Sequence, residues 1–167
     1  MMVSLLSGGD IRAEFRSVAM EKLLLYLKVM KKRIIAIDET NGRIDISDNP
    51  PDMPDVDVKV GIRIIDSWIR IFCLIKAPFT IEELGPSAAD VLFGLLRLQD
   101  DYAEFNFGIS RNNELVVKAD IYIPALTLDV FMEEYYGVLN AYAKFMTKIL
   151  PILKEGKMGW REMMDIW

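Results

Sequence analysis

From Phe131 to Ile149, the apolar residues Phe131, Tyr135, Val138, Tyr142, Phe145 and Ile149 recur in alternating steps of four and three. That spacing lays one stripe along a helix of about 127–150, opened by Thr127 and punctuated by Pro151. Near the other end, Ile11, Phe15, Val18, Ala19 and Leu23 share the helical period and predict an amphipathic helix over 10–32, with Asp10 as its N-cap. Between these helices the pattern turns to alternation, the mark of strands. Two short strands are expected at 33–39 and 43–47. Asn41-Gly42 between them favours a two-residue type I′ turn and would set Ile37 opposite Ile46. The following connector, Asp48 to Asp55, is acidic and carries three prolines, so it reads as an extended loop.

The longest alternating stretch is 56–76, where Asp66-Ser67 reads as a hairpin turn. That register pairs Val58, Val60, Ile62 and Ile64 with Ile75, Cys73, Ile71 and Ile69, an all-apolar face suited to a core. The opposite face is mixed: Asp57, Lys59, Gly61, Arg63 and Ile65 against Lys76, Leu74, Phe72, Arg70 and Trp68. Thr80-Ile81-Glu82-Glu83 is a capping-box pattern, and Ser87 after Pro86 opens a helix that runs to about Asp100. A last hairpin follows. Phe105, Phe107 and Ile109 share a face with Leu115, Val117 and Ala119 only if the loop is odd, at Arg111-Asn112-Asn113.

The order is therefore α-β-β-β-β-α-β-β-α. It predicts one α+β domain over 1–150, an antiparallel β-sheet with helices packed mainly on one face, and a tail over 151–167 with a short amphipathic segment. This order, with Leu95-Leu96-Arg97-Leu98, Phe105-Asn106-Phe107-Gly108-Ile109 and Glu114-Leu115-Val116-Val117, resembles class I type III secretion chaperones and the YbjN-like family. The resemblance implies a dimeric, partner-binding scaffold whose sheet and first helix hold an extended peptide. It implies no catalytic residue.

Composition narrows the chemistry. The chain has 25 acidic and 20 basic residues, a net charge of −5, so at long range it repels phosphate backbones and nucleic acid is not the expected partner. It has no histidine, which removes the commonest general base and metal ligand near neutral pH. The single cysteine, Cys73, falls on the apolar hairpin face and reads as a buried structural thiol. No signal peptide or membrane span is expected, and a cytoplasmic protein is the default. No glycine-rich phosphate cradle is present, and neither a cofactor nor a resident metal is expected. The connector aspartates Asp48, Asp52, Asp55 and Asp57 match no calcium-loop spacing and read as solvated charges; a metal-dependent enzyme built on them is the weakest reading.

What remains are surfaces. On the mixed hairpin face Arg63 should lie opposite Arg70, a like-charge pair that needs an anion or a carboxylate to offset it. Trp68, Phe72 and Leu74 share that face. With Trp160, Met163, Met164 and Trp167 of the tail, these residues form the expected partner-binding set. The last-helix stripe is expected to add association energy. The expected function is non-catalytic: a chaperone- or adaptor-like homodimer that binds a protein or peptide. The alternative is a small regulator that binds an anion or nucleic acid through Lys28, Lys31, Lys32 and Arg33, although a helix C-terminus alone accounts for such cations.

Overall fold

The structure, a computed structural model, describes residues 8–75, 88–101 and 105–151. In chain order the elements are α1 (Gly8–Val29), β1 (Arg33–Asp38), β2 (Arg43–Asp48), β3 (Val58–Ile65), β4 (Trp68–Leu74), α2 (Ala88–Asp101), β5 (Asn106–Ile109), β6 (Leu115–Tyr122) and α3 (Leu128–Lys144). The six strands form one antiparallel sheet in the order β1-β2-β3-β4-β6-β5. The α+β class and the element order are as the periodicities predict. The capping box at 80–83, Ser87 and the tail beyond Pro151 lie outside the described residues.

Alternation decides which face is covered. Ile44, Ile62, Ile71 and Ala119 form one row across four strands, and Ile46, Val60, Cys73, Val117 and Phe107 form the next. All nine are buried. Above them lie Leu23 and Leu27 of α1 and Phe131, Tyr135 and Val138 of α3, each with no exposed surface. The predicted α3 stripe is entirely internal, so it is not available for association. Thr127 caps this helix, its hydroxyl accepting from the Val130 N–H at 3.2 Å. After Lys144 the turns widen to a π-helical stretch over Phe145–Ile149, and helical backbone continues through Pro151 instead of stopping before it.

The two long hairpins keep their predicted registers. Val60, Ile62 and Ile64 face Cys73, Ile71 and Ile69, while Phe107 faces Val117 and Ile109 faces Leu115. In the second hairpin Ser110 closes the odd loop, its hydroxyl accepting from the Asn112 and Glu114 N–H groups. Ile109, at the strand end, is nevertheless exposed.

Three local expectations are corrected. First, the β1–β2 turn is not the two-residue type: Ile37 faces Ile44, and Ile34 faces Ile46 across a bulge. The Asp38 carboxylate accepts from both the Asn41 N–H and its side-chain amide, which draws a four-residue loop over 39–42. The Ile64 N–H then donates to the Gly42 carbonyl at 2.8 Å and holds that loop on β3. Second, the connector is not extended. The Met53 N–H donates to the Pro50 carbonyl and the Val56 N–H to that of Met53, so it folds through two turns and lets β3 pair with β2. Third, α1 is already helical at Gly8, so Asp10 lies within it, and it ends at Val29 because Lys31 has φ of 55°. The Lys31 and Lys32 N–H groups donate to the carbonyls of Lys28 and Leu27, a Schellman ending. Phe15 and Val18, expected on the buried stripe, are exposed; the buried face is Ala19, Met20, Leu23 and Leu27.

A lysine in the left-handed region where glycine is preferred leaves stability to be gained. Lys31→Gly is expected to stabilise the domain by about 0.5–1 kcal/mol, and Lys31→Ala to give no such gain. Thermal unfolding of both variants beside the parent checks this.

Candidate functional site: the uncovered face of the sheet

The side chains that point away from α1 and α3 form a second surface, which no described helix covers. Across it run Arg43, Arg63, Arg70 and Asp120, in register on β2, β3, β4 and β6. The next row is Asp45, Gly61, Phe72 and Lys118. The predicted opposition of Arg63 and Arg70 is present, and Arg43 extends it to three guanidiniums side by side.

Two of the three are neutralised from neighbouring positions. Arg70 donates to both carboxylate oxygens of Asp120, at 2.7 and 3.0 Å, a forked pair that raises the guanidinium's pKa. Arg43 pairs with Asp45 at 2.9 Å, and Lys59 pairs with the same carboxylate at 2.8 Å. Burial opposes the charge on Asp45, which is only 6% exposed, but the hydrogen bonds from Lys59 and Arg43 outweigh it and hold the carboxyl below its ordinary 3.8. Arg63, between these pairs, is exposed and has no carboxylate partner among the described residues.

The apolar members of the face are arranged differently from one another. The far end of the Phe72 ring occupies the space beside Gly61: a Cβ built there would come within 2.4 Å of the ring's Cζ. Glycine at 61 is what permits this, and it leaves Phe72 half-buried. Leu74 is also half-buried. Trp68 is 49% exposed and packs against Tyr122, with ring centroids 5.2 Å apart. A groove of about 820 Å³ crosses this face, walled by Arg16, Arg63, Arg70, Arg111 and Lys118 over Phe72, Leu74 and Val116.

The structure thus brings Arg63, Trp68, Arg70, Phe72 and Leu74 onto one surface. Trp160, Met163, Met164 and Trp167 lie outside the described residues. Two of the four residues of the basic corner are engaged. Lys32 pairs with Asp48 and lies over the rings of Tyr135 and Tyr136, and Arg33 donates to Asp57 at 2.7 Å and to Ser47. Lys28 and Lys31 remain exposed. These contacts also take up Asp48 and Asp57 of the connector. Among the described residues no cluster of three or more metal-ligating side chains is found. Cys73 is fully buried, and desolvation pushes its thiol up to about 12.

Sequence reasoning missed Arg43, Lys118 and Asp120 on this face, because they reach it only through the pairing of β2 with β3 and of β6 with β4, both distant in sequence. It also missed a second apolar surface. Phe15, Val18, Leu25 and Val29 are all about half exposed or more and fall within an arc of about 80° on α1. Their spacing was visible in the sequence, merged with the buried stripe beside it.

Two solved structures share this fold. A chain of the ExsC–ExsE complex superposes with a TM-score of 0.60 at 15% identity, covering 80% of this chain and 94% of that one. An uncharacterised protein from Methanothermobacter thermautotrophicus superposes with a TM-score of 0.54 at 19% identity, covering 84% and 99% respectively. At these identities the likeness is one of fold, and it agrees with the chaperone-like fold that the sequence resemblance implies. No protein-family model matches the sequence, and no curated protein matches it. Among the described residues no helix is long and apolar enough to cross a membrane.

The depressed carboxyl of Asp45 fixes the sign of one pH effect. Its charge contributes stability in full above the ordinary value of 3.8, and that contribution disappears as pH falls through the lower folded value. The stability difference between the parent and Asp45→Asn is therefore expected to be constant from neutral pH to about 5 and to shrink below about 4. Urea unfolding at stepped pH measures it.

Proposed function

We propose that this protein is a non-catalytic, chaperone- or adaptor-like module that binds a segment of another protein and works as a homodimer in the cytoplasm. The observation that carries the reading is the exposed α1 stripe. Leu25 and Val29 are 57% and 56% exposed on a helix whose opposite side is fully packed. A domain with so complete a core has no need of a second apolar face on the same helix, and such faces mark interaction surfaces. The uncovered sheet face, with Trp68 and Tyr122 at one end, offers a second contact area. The fold shared with a chain of the ExsC–ExsE complex supports protein binding as the kind of function to test first. A YbjN-like relationship, drawn from the Leu95–Val117 segment, belongs to the same proposal.

The alternative regulator is less well supported, because Lys32 and Arg33 are held by Asp48, Asp57 and Ser47.

Light scattering over a concentration series is expected to give about twice the 19.1 kDa chain mass. Native mass spectrometry of protein purified gently from its source should show an added polypeptide. Leu25→Glu with Val29→Glu is expected to abolish one or both at unchanged helical content. A folded parent that is monomeric and carries no polypeptide overturns the proposal.

A further inference from the structure

Arg63 is the unbalanced member of the charged row. Its cross-strand neighbours are Arg43 on one side and Arg70 on the other, both cations; Arg70 is paired with Asp120, and Arg43 shares Asp45 with Lys59. Like charges directly opposite one another in a sheet are unfavourable. The arrangement therefore lacks a negative group at its centre. A carboxylate fits there, because a guanidinium presents two parallel donors to it.

The surroundings repeat the signal. Arg111 and Lys118 wall the same groove and have no ion-pair partner among the described residues. Arg16, which also lines the groove, donates to the Thr40 carbonyl at 3.0 Å and has no ion-pair partner among the described residues. These cations gather on one face of a chain whose net charge is −5, so the local field opposes the global one. Between them the floor is apolar: Phe72, Leu74 and Val116, half-buried and pointing the same way. Charge at the walls and apolar surface along the floor match a chain that alternates carboxylates with apolar side chains, the two faces of an extended peptide.

A nucleic-acid strand fits less well. Asp66 lines the same groove, and the chain's net charge of −5 opposes a continuous phosphate backbone.

Resting on the protein-binding reading above, we propose that the groove over Phe72, Leu74 and Val116 seats an extended acidic segment of a partner protein, one carboxylate of which forms a forked pair with Arg63. Other carboxylates of the segment reach Arg111 and Lys118, and its apolar side chains lie on the floor. The segment completes the row across the sheet by adding the anion that its centre lacks.

The test is fluorescence anisotropy at moderate salt with three labelled probes: a twelve-residue peptide alternating Glu with Leu or Val, its Gln counterpart, and a single-stranded oligonucleotide of equal length. The acidic peptide is expected to bind and the other two to bind at least about tenfold more weakly. Arg63→Gln is expected to weaken the acidic peptide about tenfold, with Arg63→Lys between it and the parent. In the free protein Arg63→Gln should hold or raise the melting temperature, because it relieves repulsion by Arg43 and Arg70. Should it fail to fold, Arg111→Gln serves in its place. Equal binding of the Gln peptide, equal binding by Arg63→Gln, or no binding of any probe overturns the inference. Tighter binding of the oligonucleotide overturns it in favour of a nucleic-acid seat. The mass measurements above are repeated on Arg63→Gln. A dimer or bound polypeptide that persists while the acidic peptide never binds defeats this inference alone.

Discussion

Three rows of apolar side chains cross the sheet on one side, and everything else in the molecule is arranged around covering them. Ile64, Ile69 and Ile121 complete the set begun by the rows through Ile62 and Val60. Fully burying a valine, isoleucine or phenylalanine side chain is worth about 1.5–3 kcal/mol, so the ten of these in the three rows dominate the folding free energy before entropy is subtracted. Because side chains alternate along a strand, every residue given to this floor sends its neighbour to the other face. The helices can satisfy only one side. The arginine row and the groove are the residue of that constraint.

One polar cluster locks the covered side. Asp48, at the end of β2, accepts from the Tyr135 hydroxyl of α3 at 2.8 Å and pairs with Lys32, which follows α1. Three elements far apart in sequence meet at a single carboxylate. Burial, together with the nearby Asp48 charge, pushes the Tyr135 hydroxyl well above its ordinary range, so it stays protonated and serves as a permanent donor. The lysine that looked available for an external anion is a strut of the fold. The same logic holds on the uncovered side, where Arg43 and Arg70 are braced by Asp45 and Asp120, while Arg63 between them has no carboxylate partner among the described residues.

Glycine and lysine exchange their usual places in two details. Gly61 sits mid-strand, where a side chain is normally wanted, because the Phe72 ring occupies the space a Cβ would take. Lys31 sits where a helix ending prefers glycine, at a positive φ. The first puts an aromatic ring in the floor of the groove. The second places Lys32 over the rings of Tyr135 and Tyr136.

By itself the sequence determined the class of the fold, the two long hairpin registers and the α3 stripe. Each rests on parity or period, and a slip of one residue in those strands would carry apolar side chains such as Ile62 and Ile71 to the wrong face. It also determined that Arg63 and Arg70 oppose each other, since that follows from the same hairpin register. Tertiary structure decided the rest. Placing β6 beside β4 brought Asp120 to Arg70, and pairing β2 with β3 brought Arg43 to Arg63; both depend on contacts distant in sequence. The 39–42 loop was decided by the Asp38 side chain and by Gly42 bonding to Ile64, interactions that outweigh the local preference of Asn-Gly. Which side of α1 faces inward was undecidable from its own residues, because both sides carry apolar stripes and only the position of the sheet selects one.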